Sequence, residues 1–312
     1  MPLRLGSRGS PLALWQARHV ADRLRAISPG LSVDITIIKT EGDQRIDVPL
    51  TASSGKGVFV KEIEDALLHG TIDLAVHSLK DLPTETPEGL TLAAIPARHD
   101  ARDALVCRSA RRVEDLPDRA LVATGSPRRR CQLLRARPDL SFTFVRGNVD
   151  TRLRKLDDGQ FHALILAVAG IERLGLLQAP YTPIPAATCL PAPGQGALAI
   201  ETRVDDDATL RLVGPLGDPD SAACVAAERG FLAALGAGCL APAGALATIV
   251  GQVLGLDAMV GTPDGRAELR DRIEGAPTEA QALGAALASR LLDAGGSAIL
   301  REVRDAERSG AP

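Results

Sequence analysis

The 312-residue sequence has few aromatic residues and little net charge, and both features exclude classes of function. Aromatic residues make up only 2% of the chain, with one Trp and one Tyr. Surfaces that bind single-stranded nucleic acid use aromatic rings for base stacking, so this composition argues against such a surface. The formal net charge is −3, which excludes a protein-wide field that attracts polyanions. We therefore expect no nucleic-acid partner.

Cysteines and long apolar runs are also scarce. The five cysteines, Cys107, Cys131, Cys189, Cys224 and Cys239, are scattered without a C-x-x-C pair, and the five histidines lack metal-ligand spacing. This is typical of free thiols in a reducing compartment, and it predicts neither a disulfide framework nor a metal site. The N-terminal ten residues lack the apolar core of a signal peptide. Leu240–Gly261, the most apolar later region, is broken by Pro, Gly and polar residues and favours strand-turn-strand over a membrane span. We expect a cytoplasmic protein with no membrane partner.

The sequence predicts strands and helices that follow one another in the same order twice along the chain. The first copy has strands at 3–5, 32–39 and from Asp73, with helices at 12–27 and 58–69. The second has strands at 120–123, 142–146 and 162–168, with helices from Ser126-Pro127 to about 137 and at 148–157. We predict an α/β protein with two similar lobes, like those of periplasmic binding proteins, and a central cleft. Two-lobed architectures commonly bind ligands at the lobe interface.

The rest of the chain predicts a small α+β domain at the C-terminus. After a Pro/Gly-rich connector at 179–196, residues 198–201 return as a strand to the first lobe. A helix at about 221–235, a Gly-rich turn, strands and a last helix at about 278–294, closed by Gly295-Gly296, follow. The predicted domains are 1–99 with 198–216, 100–197, and 217–312.

The stretch Asp73 to Pro83, D-L-A-V-H-S-L-K-D-L-P, has the strongest chemical signal. Its apolar start predicts a buried parallel strand, and ligands in open α/β sheets bind beyond the carboxyl ends of strands. Lys80 and Asp81 fall there. The carboxylate suits proton transfer or stabilisation of a cation, and the ammonium suits an anion. Taken alone, a solvated Lys–Asp pair on a loop is the commoner interpretation.

Basic residues collect at strand-to-helix junctions. Both Ser-Pro helix starts present free N–H groups that favour an anion. Arg8 precedes the first start, and Arg128 to Arg130 occupy the first turn of the second, where positive charge opposes the helix dipole. A bound anion would remove this conflict; an exposed basic surface is the alternative. With Lys56, Arg146 and Arg152, these groups predict a cleft for a small ligand that carries several carboxylates or phosphates.

Two loops contain further candidates. Cys239 lies in the turn G-A-G-C, which leaves a thiol accessible for reaction or modification, although an ordinary loop thiol is the more common case. Ser53–Gly57 resembles part of a phosphate loop but lacks the G-x-x-x-x-G-K-[ST] pattern, so it predicts no nucleotide site.

These motifs, in this order, make the chain resemble the porphobilinogen deaminase (hydroxymethylbilane synthase) family. The matching segments are S-R-G-S-P-L-A-L-W-Q-A, G-K-G-V-F-V-K-E, D-L-A-V-H-S-L-K-D-L-P, A-R-D-A, T-G-S-P-R-R, R-G-N-V-D-T-R-L, I-L-A-V-A-G, P-A-P-G-Q-G-A and G-A-G-C. They span nearly the whole chain, and so many ordered motifs are highly specific.

The resemblance implies a monomeric enzyme of tetrapyrrole (porphyrin and heme) biosynthesis. Such an enzyme joins four porphobilinogen molecules with loss of ammonia on a dipyrromethane cofactor, held by a thioether to Cys239, and releases linear hydroxymethylbilane. It makes Asp81 the catalytic carboxylate and a cofactor contact. The other implied cofactor-binding residues are Lys80, Thr124, Ser126, Arg128 and Arg129, and the substrate-binding residues are Arg8, Ser10, Gln16, Lys56, Phe59, Arg146, Arg152 and Arg173.

The chain departs from the family pattern at Ala52, where relatives can carry a lysine, and at Leu240 and Ala241, where relatives often have polar residues. Neither departure removes a matched catalytic group. The main alternative function is a two-lobed protein that binds small anions without catalysis. Such a protein needs neither a cofactor tethered to Cys239 nor the Asp81 carboxylate. Cys239 and Asp81 therefore discriminate between the enzyme and the non-catalytic binding protein.

Overall fold

The computed structural model describes residues 2–40, 60–145, 147–176, 178, 180–236 and 242–309. The chain forms two compact units, Met1–His99 with Gly196–Ala222, and Asp100–Gln195 with Ala223–Pro312. Within the described residues there are two five-stranded sheets and one three-stranded sheet. The predicted three-domain boundaries stay a prediction.

The described part of the chain contains the following strands and helices, in chain order. The first are β1 (Leu3–Ser7), α1 (Pro11–Ile27), β2 (Val33–Ile37), α2 (Lys61–Leu68), β3 (Leu74–Ser78), β4 (Leu90–Ala94), β5 (Asp103–Val106), β6 (Leu121–Ala123), α3 (Pro127–Ala136), β7 (Ser141–Thr143), α4 (Val149–Asp157), β8 (Ala163–Ala167) and α5 (Val168–Arg173). The others are β9 (Tyr181–Pro183), β10 (Leu198–Arg203), α6 (Asp207–Val213), α7 (Pro219–Leu235), β11 (Ala243–Val250), β12 (Val253–Gly261), β13 (Glu268–Gly275), α8 (Ala280–Leu291) and α9 (Ser297–Ser309).

The two five-stranded sheets have the same topology. Their strand orders are β2-β1-β3-β10-β4 and β7-β6-β8-β5-β9. In each sheet the first three strands run parallel, and the fourth and fifth add antiparallel pairs. The predicted pair of similar α/β lobes is therefore confirmed, as is the return of 198–201 to the first sheet. The strand from Asp73, predicted as parallel, is parallel to β1 but antiparallel to β10.

Helix α1 is a typical amphipathic helix of the first lobe. The Ser10 hydroxyl caps its N-terminus, and Pro11 occupies its first turn, where a missing N–H costs nothing. Its buried positions, Ala17, Val20, Ala21 and Leu24, recur at helical spacing and pack in the core beside strands β1 and β3. This packing fixes the start of α1 next to the ends of both strands.

The third sheet, β11-β12-β13, is antiparallel and packs against α7, α8 and α9. The helix predicted at about 278–294 is present and is interrupted at Gly295, but the prediction that it is the last helix was wrong. Gly295 adopts φ 116°, which glycine tolerates, so the chain turns through Leu292–Gly296 and continues as α9. Ile299 and Leu300 of α9 are buried in the same core. By length and composition the helical run Pro277–Asp305 also suffices to cross a membrane, a property that buried core helices share.

Candidate active site

A pocket opens in the first unit, where β1 and β3 end. Because these strands are parallel neighbours, their carboxyl ends lie at the same edge of the sheet. The polar residues that line the pocket are Arg8, Ser10, Gln16, His77, Ser78 and Asp81. Four of the predicted site residues, Arg8, Ser10, Gln16 and Asp81, are thus brought together.

Two hydrogen bonds organise this pocket. The Ser10 hydroxyl accepts from the Ala13 amide at 3.3 Å, which caps α1 at the pocket wall. Gln16 is only 2% exposed, and its Nε2 donates to the Ser78 hydroxyl at 2.8 Å. The second bond joins α1 to the end of β3 and so holds the segment that leads to Asp81.

Lys80 and Asp81 lie on a single 3₁₀ turn, Leu79–Asp81, directly after β3. Leu79 is buried and anchors the turn, whereas the Lys80 and Asp81 side chains are exposed. Asp81 therefore lines the pocket and remains exposed to solvent. It is suited to accept N–H hydrogen bonds and to face a developing positive charge.

In the second unit the corresponding helix start is α3. Thr124 Oγ1 accepts from the Ser126 amide at 3.2 Å, and Ser126 Oγ accepts from the Arg129 amide at 3.4 Å. The predicted N-cap is confirmed. Both residues are thus placed at the helix N-terminus, where the positive end of the dipole favours an anion.

Arg128 and Arg129 are not an exposed basic surface, since they are 5% and 8% exposed. Both contact the fully buried Asp103. Arg128 Nη1 lies 2.8 Å from Asp103 Oδ2, and Arg129 Nε and Nη2 lie 2.9 and 2.6 Å from Oδ1. Burial opposes ionisation of this carboxyl, but the two guanidinium groups lower the pKa of Asp103 far below its ordinary value. The conflict between these arginines and the helix dipole is thus relieved by a carboxylate of the protein itself.

Sequence reasoning assigned no role to Asp103. Gln195 Nε2 also donates to it at 2.9 Å, and the Cys189 thiol lies 3.4 Å away. The available signal was a charged residue that opens β5, a strand whose four residues are all buried. Buried charges in proteins are normally paired, so an arginine partner could have been sought.

Arg152 and Arg173 are cations in poorly solvated surroundings. Arg152 Nε donates to the Gly147 carbonyl at 2.8 Å, and burial, followed by the nearby charge of Arg129, lowers the pKa of Arg152. Arg173 is 5% exposed, and burial lowers its pKa to about 10, so it stays charged at neutral pH. A bound carboxylate would offset the cost of burying these cations.

Several predicted residues lie outside the described part of the chain. They are Lys56, Phe59, Arg146 and Cys239, together with the departures Ala52, Leu240 and Ala241. The assignment of the cofactor to Cys239 therefore stays a prediction.

Two family models match the chain. The porphobilinogen deaminase, dipyromethane cofactor binding domain model matches residues 3–211, and the porphobilinogen deaminase, C-terminal domain model matches residues 222–293. Among solved structures, the chain is similar to a putative methionine-binding lipoprotein from Bacillus subtilis, at 12% identity and a TM-score of 0.40, covering 69% of this chain and 89% of that one. It is also similar to the periplasmic aliphatic sulphonate binding protein from Escherichia coli, at 17% identity and a TM-score of 0.40, covering 74% and 70%.

Proposed function

Because the chain belongs to the porphobilinogen deaminase family, which builds hydroxymethylbilane on a dipyrromethane cofactor, we propose that Asp81 is its catalytic carboxylate and that the pocket of the first unit binds the reacting pyrrole. The observation that carries this proposal is the position of Asp81, exposed on a turn beside Arg8, Ser10 and Gln16 in one pocket.

The residues of this pocket fit a pyrrole with carboxylate side chains. Arg8 supplies a cation, and Ser10 supplies a hydroxyl at the N-terminus of α1, so both suit an acetate or propionate group. Asp81 supplies an acceptor for pyrrole N–H groups. The dipyrromethane, when attached, supplies the pyrrole carbon to which the first new unit is joined.

Asp81 acts when porphobilinogen loses its amino group as ammonia. Positive charge then develops on the pyrrole, and a carboxylate fixed beside the ring stabilises that charge. The Leu79–Asp81 turn fixes this carboxylate, because Leu79 is buried and its amide donates to the Ala197 carbonyl at 3.1 Å. Removal of the negative charge at position 81 should slow the reaction without unfolding the protein.

The arginines of the second unit are proposed to hold carboxylates of the growing chain. Each added pyrrole brings two carboxylates, so negative charge accumulates during synthesis. Arg173 is buried and Arg152 is partly buried, and the desolvation that lowers the pKa of each is costly. An anion would offset that cost. Asp103 holds the Arg128 and Arg129 side chains in one arrangement at the start of α3.

Cys239 is proposed as the thioether residue. Cys131 and Cys189 are buried free thiols, and burial raises the pKa of each to about 12, so neither is a ready nucleophile. Buried free thiols also support the proposal that this enzyme works in the cytoplasm, where thiols stay reduced. We further propose that it acts as a monomer.

Intact mass and peptide mapping test the cofactor assignment. The purified chain should exceed its sequence mass by two linked pyrrole units, all on the Cys239 peptide. Cys239→Ser should lack this excess, whereas Cys131→Ser should keep it. An excess carried by another peptide would overturn the assignment of Cys239.

Asp81→Asn tests the catalytic assignment, because it removes the charge and keeps the shape. We expect at least about a hundredfold loss in the rates of porphobilinogen consumption and ammonia release, with unchanged thermal unfolding. Glu85→Gln, at another exposed acid nearby, should leave the rate unchanged. Near-normal turnover in Asp81→Asn would refute the role of Asp81, and binding of porphobilinogen by the wild type without turnover would favour the non-catalytic anion-binding function.

A further inference from the structure

A buried histidine–glutamate pair lies at the wall of the same pocket and has no role in the proposal above. His77 Nε2 is 3.0 Å from Glu201 Oε2, with side-chain exposures of 6% and 1%. His77 is on β3 and Glu201 on the neighbouring strand β10. His77 lines the pocket beside Ser78 and Asp81. One ring nitrogen therefore faces a buried carboxylate, and the residue belongs to the wall of the space for a ligand.

Stability alone does not account for this pair. Removing two ionisable groups from water is costly, and replacing a buried pair by apolar side chains is often neutral or stabilising. Glu64 of α2 adds to the local cost, because burial and then the charge of Glu201 raise its pKa. A cluster of this kind at a pocket wall is typical of a group whose orientation serves the ligand.

The Glu201 contact determines which nitrogen is left for a ligand. A carboxylate accepts a hydrogen bond, so Nε2 carries the proton, and the Nδ1 of a neutral ring is then an acceptor. Within the described part of the chain, the only hydrogen bond of the His77 side chain is the one to Glu201. Nδ1 is therefore the ring nitrogen that is left for a ligand.

We propose that His77 is a substrate-binding residue, positioned by Glu201, whose Nδ1 accepts a hydrogen bond from an N–H group of the pyrrole in the pocket. This inference rests on the proposed function, and the single ring N–H of the pyrrole is then shared by Nδ1 and the Asp81 carboxylate. Such a bond recognises the pyrrole nitrogen, whereas Arg8 and Ser10 recognise carboxylates. It selects a pyrrole diacid over a diacid of similar size whose ring has no N–H.

Two substitutions separate the two nitrogens. Gln places its amide near the position of Nε2 and so keeps the contact with Glu201, whereas Asn places its amide near the position of Nδ1. We expect His77→Gln to raise the KM for porphobilinogen about fivefold to tenfold, the effect of one lost hydrogen bond, with kcat within about twofold of wild type. His77→Asn, where it folds, should restore much of the KM.

Binding without turnover gives a second readout. The probe is the pyrrole acetate–propionate diacid that lacks the aminomethyl group, titrated calorimetrically into the purified holoenzyme. His77→Gln should weaken its binding by the same factor as the KM. His69→Gln, at an exposed histidine near the end of α2, should leave the affinity unchanged.

A measurement on the wild type removes the dependence on variant folding. In ¹⁵N-histidine spectra, with the His77 signals assigned by their loss in His77→Gln, the diacid should shift the Nδ1 signal and leave Nε2 nearly unchanged. A wild type that turns over porphobilinogen, with an unmoved Nδ1 signal or an unchanged KM in His77→Gln, overturns the role of His77 alone. A wild type that neither binds the diacid nor consumes porphobilinogen overturns the proposed function and, with it, this inference.

Discussion

At the scale of single residues, Asp103 holds together several side chains of the second unit. Three consecutive arginines in the first turn of α3 oppose the helix dipole, and Asp103 supplies the opposite charge to two of them. The same carboxylate accepts from Gln195 at 2.9 Å. The sequence alone suggested that an external anion binds at the start of α3. In the structure, the buried Asp103 carboxylate supplies that negative charge.

Asp103→Asn should therefore destabilise the protein strongly. The substitution keeps the shape but leaves two buried guanidinium groups without their counter-charge, and breaking a buried ion pair in this way costs about 3–5 kcal/mol. Urea unfolding measures the loss. Asp157→Asn removes the partner of the exposed Arg108 and should change the free energy of unfolding by less than about 1 kcal/mol. Equal effects of the two variants would show that Asp103 is not structurally special.

Because of Asp103, the free energy of unfolding should also depend on pH. The folded-state pKa of Asp103 lies below the ordinary value of 3.8, so folding favours the ionised form. Its contribution to stability is fully present above the unfolded-state pKa and is lost as the pH falls from there towards the folded-state pKa. The free energy of unfolding of the wild type should decrease between about pH 5 and pH 3, and less steeply in Asp103→Asn. Parallel pH profiles would contradict this assignment.

At the scale of elements, α7 and α8 cross where two glycines face each other. A Cβ on Gly284 would collide with the Ala227 carbonyl and the Phe231 amide, and a Cβ on Gly230 would lie 2.5 Å from the Gln281 carbonyl. The backbones can approach this closely only because neither position has a side chain. The core of the third sheet, which includes Phe231, depends on this approach.

Gly284→Ala should push these two helices apart. Its Cβ would meet backbone atoms, which cannot rotate away, so we expect a loss of about 1–3 kcal/mol or more in the free energy of unfolding. Gly170→Ala is the matched control, because Gly170 lies in α5 with no atom within 4 Å of the added Cβ. There the higher helix propensity of Ala should be neutral or stabilising by up to about 1 kcal/mol. Thermal unfolding of both variants checks the contrast.

At the scale of the whole molecule, the features that could be predicted from the sequence are those that depend on the order of elements and on local periodicity. The repeated order of elements predicted two lobes, and the strand-to-helix junctions predicted that Arg8 and Asp81 would line one cleft, whereas Ser10 was expected there only from the family resemblance. Contacts between distant segments were not predictable. Asp103 and Arg128 are 25 residues apart, and His77 and Glu201 are 124 residues apart, so no local pattern pairs them. Helix α9 was missed because Gly295-Gly296 was interpreted as the end of the last helix, although Ile299, Leu300 and Val303 recur at helical spacing and are buried.

Glu228 joins three parts of the second unit in the same non-local way. This α7 residue is fully buried, and its carboxylate accepts from the Gly194 amide at 2.6 Å and from the Ala247 amide at 2.8 Å. Gly194 belongs to the Pro/Gly-rich connector and Ala247 to β11. The connector, helix α7 and the third sheet therefore depend on one carboxylate with two accepting oxygens.

Glu228→Gln should loosen one of these connections, since an amide has one accepting oxygen and its NH₂ group would face an N–H donor. A buried donor left without its acceptor costs about 1–3 kcal/mol, and either the Gly194 or the Ala247 amide should exchange with solvent faster by hydrogen–deuterium exchange. Amides within α8 should keep their protection, and Glu279→Gln, at an exposed acid, should change neither quantity. Unchanged exchange at both amides in Glu228→Gln would mean that the connector is held by other contacts, since the two bonds described here could then be lost without effect.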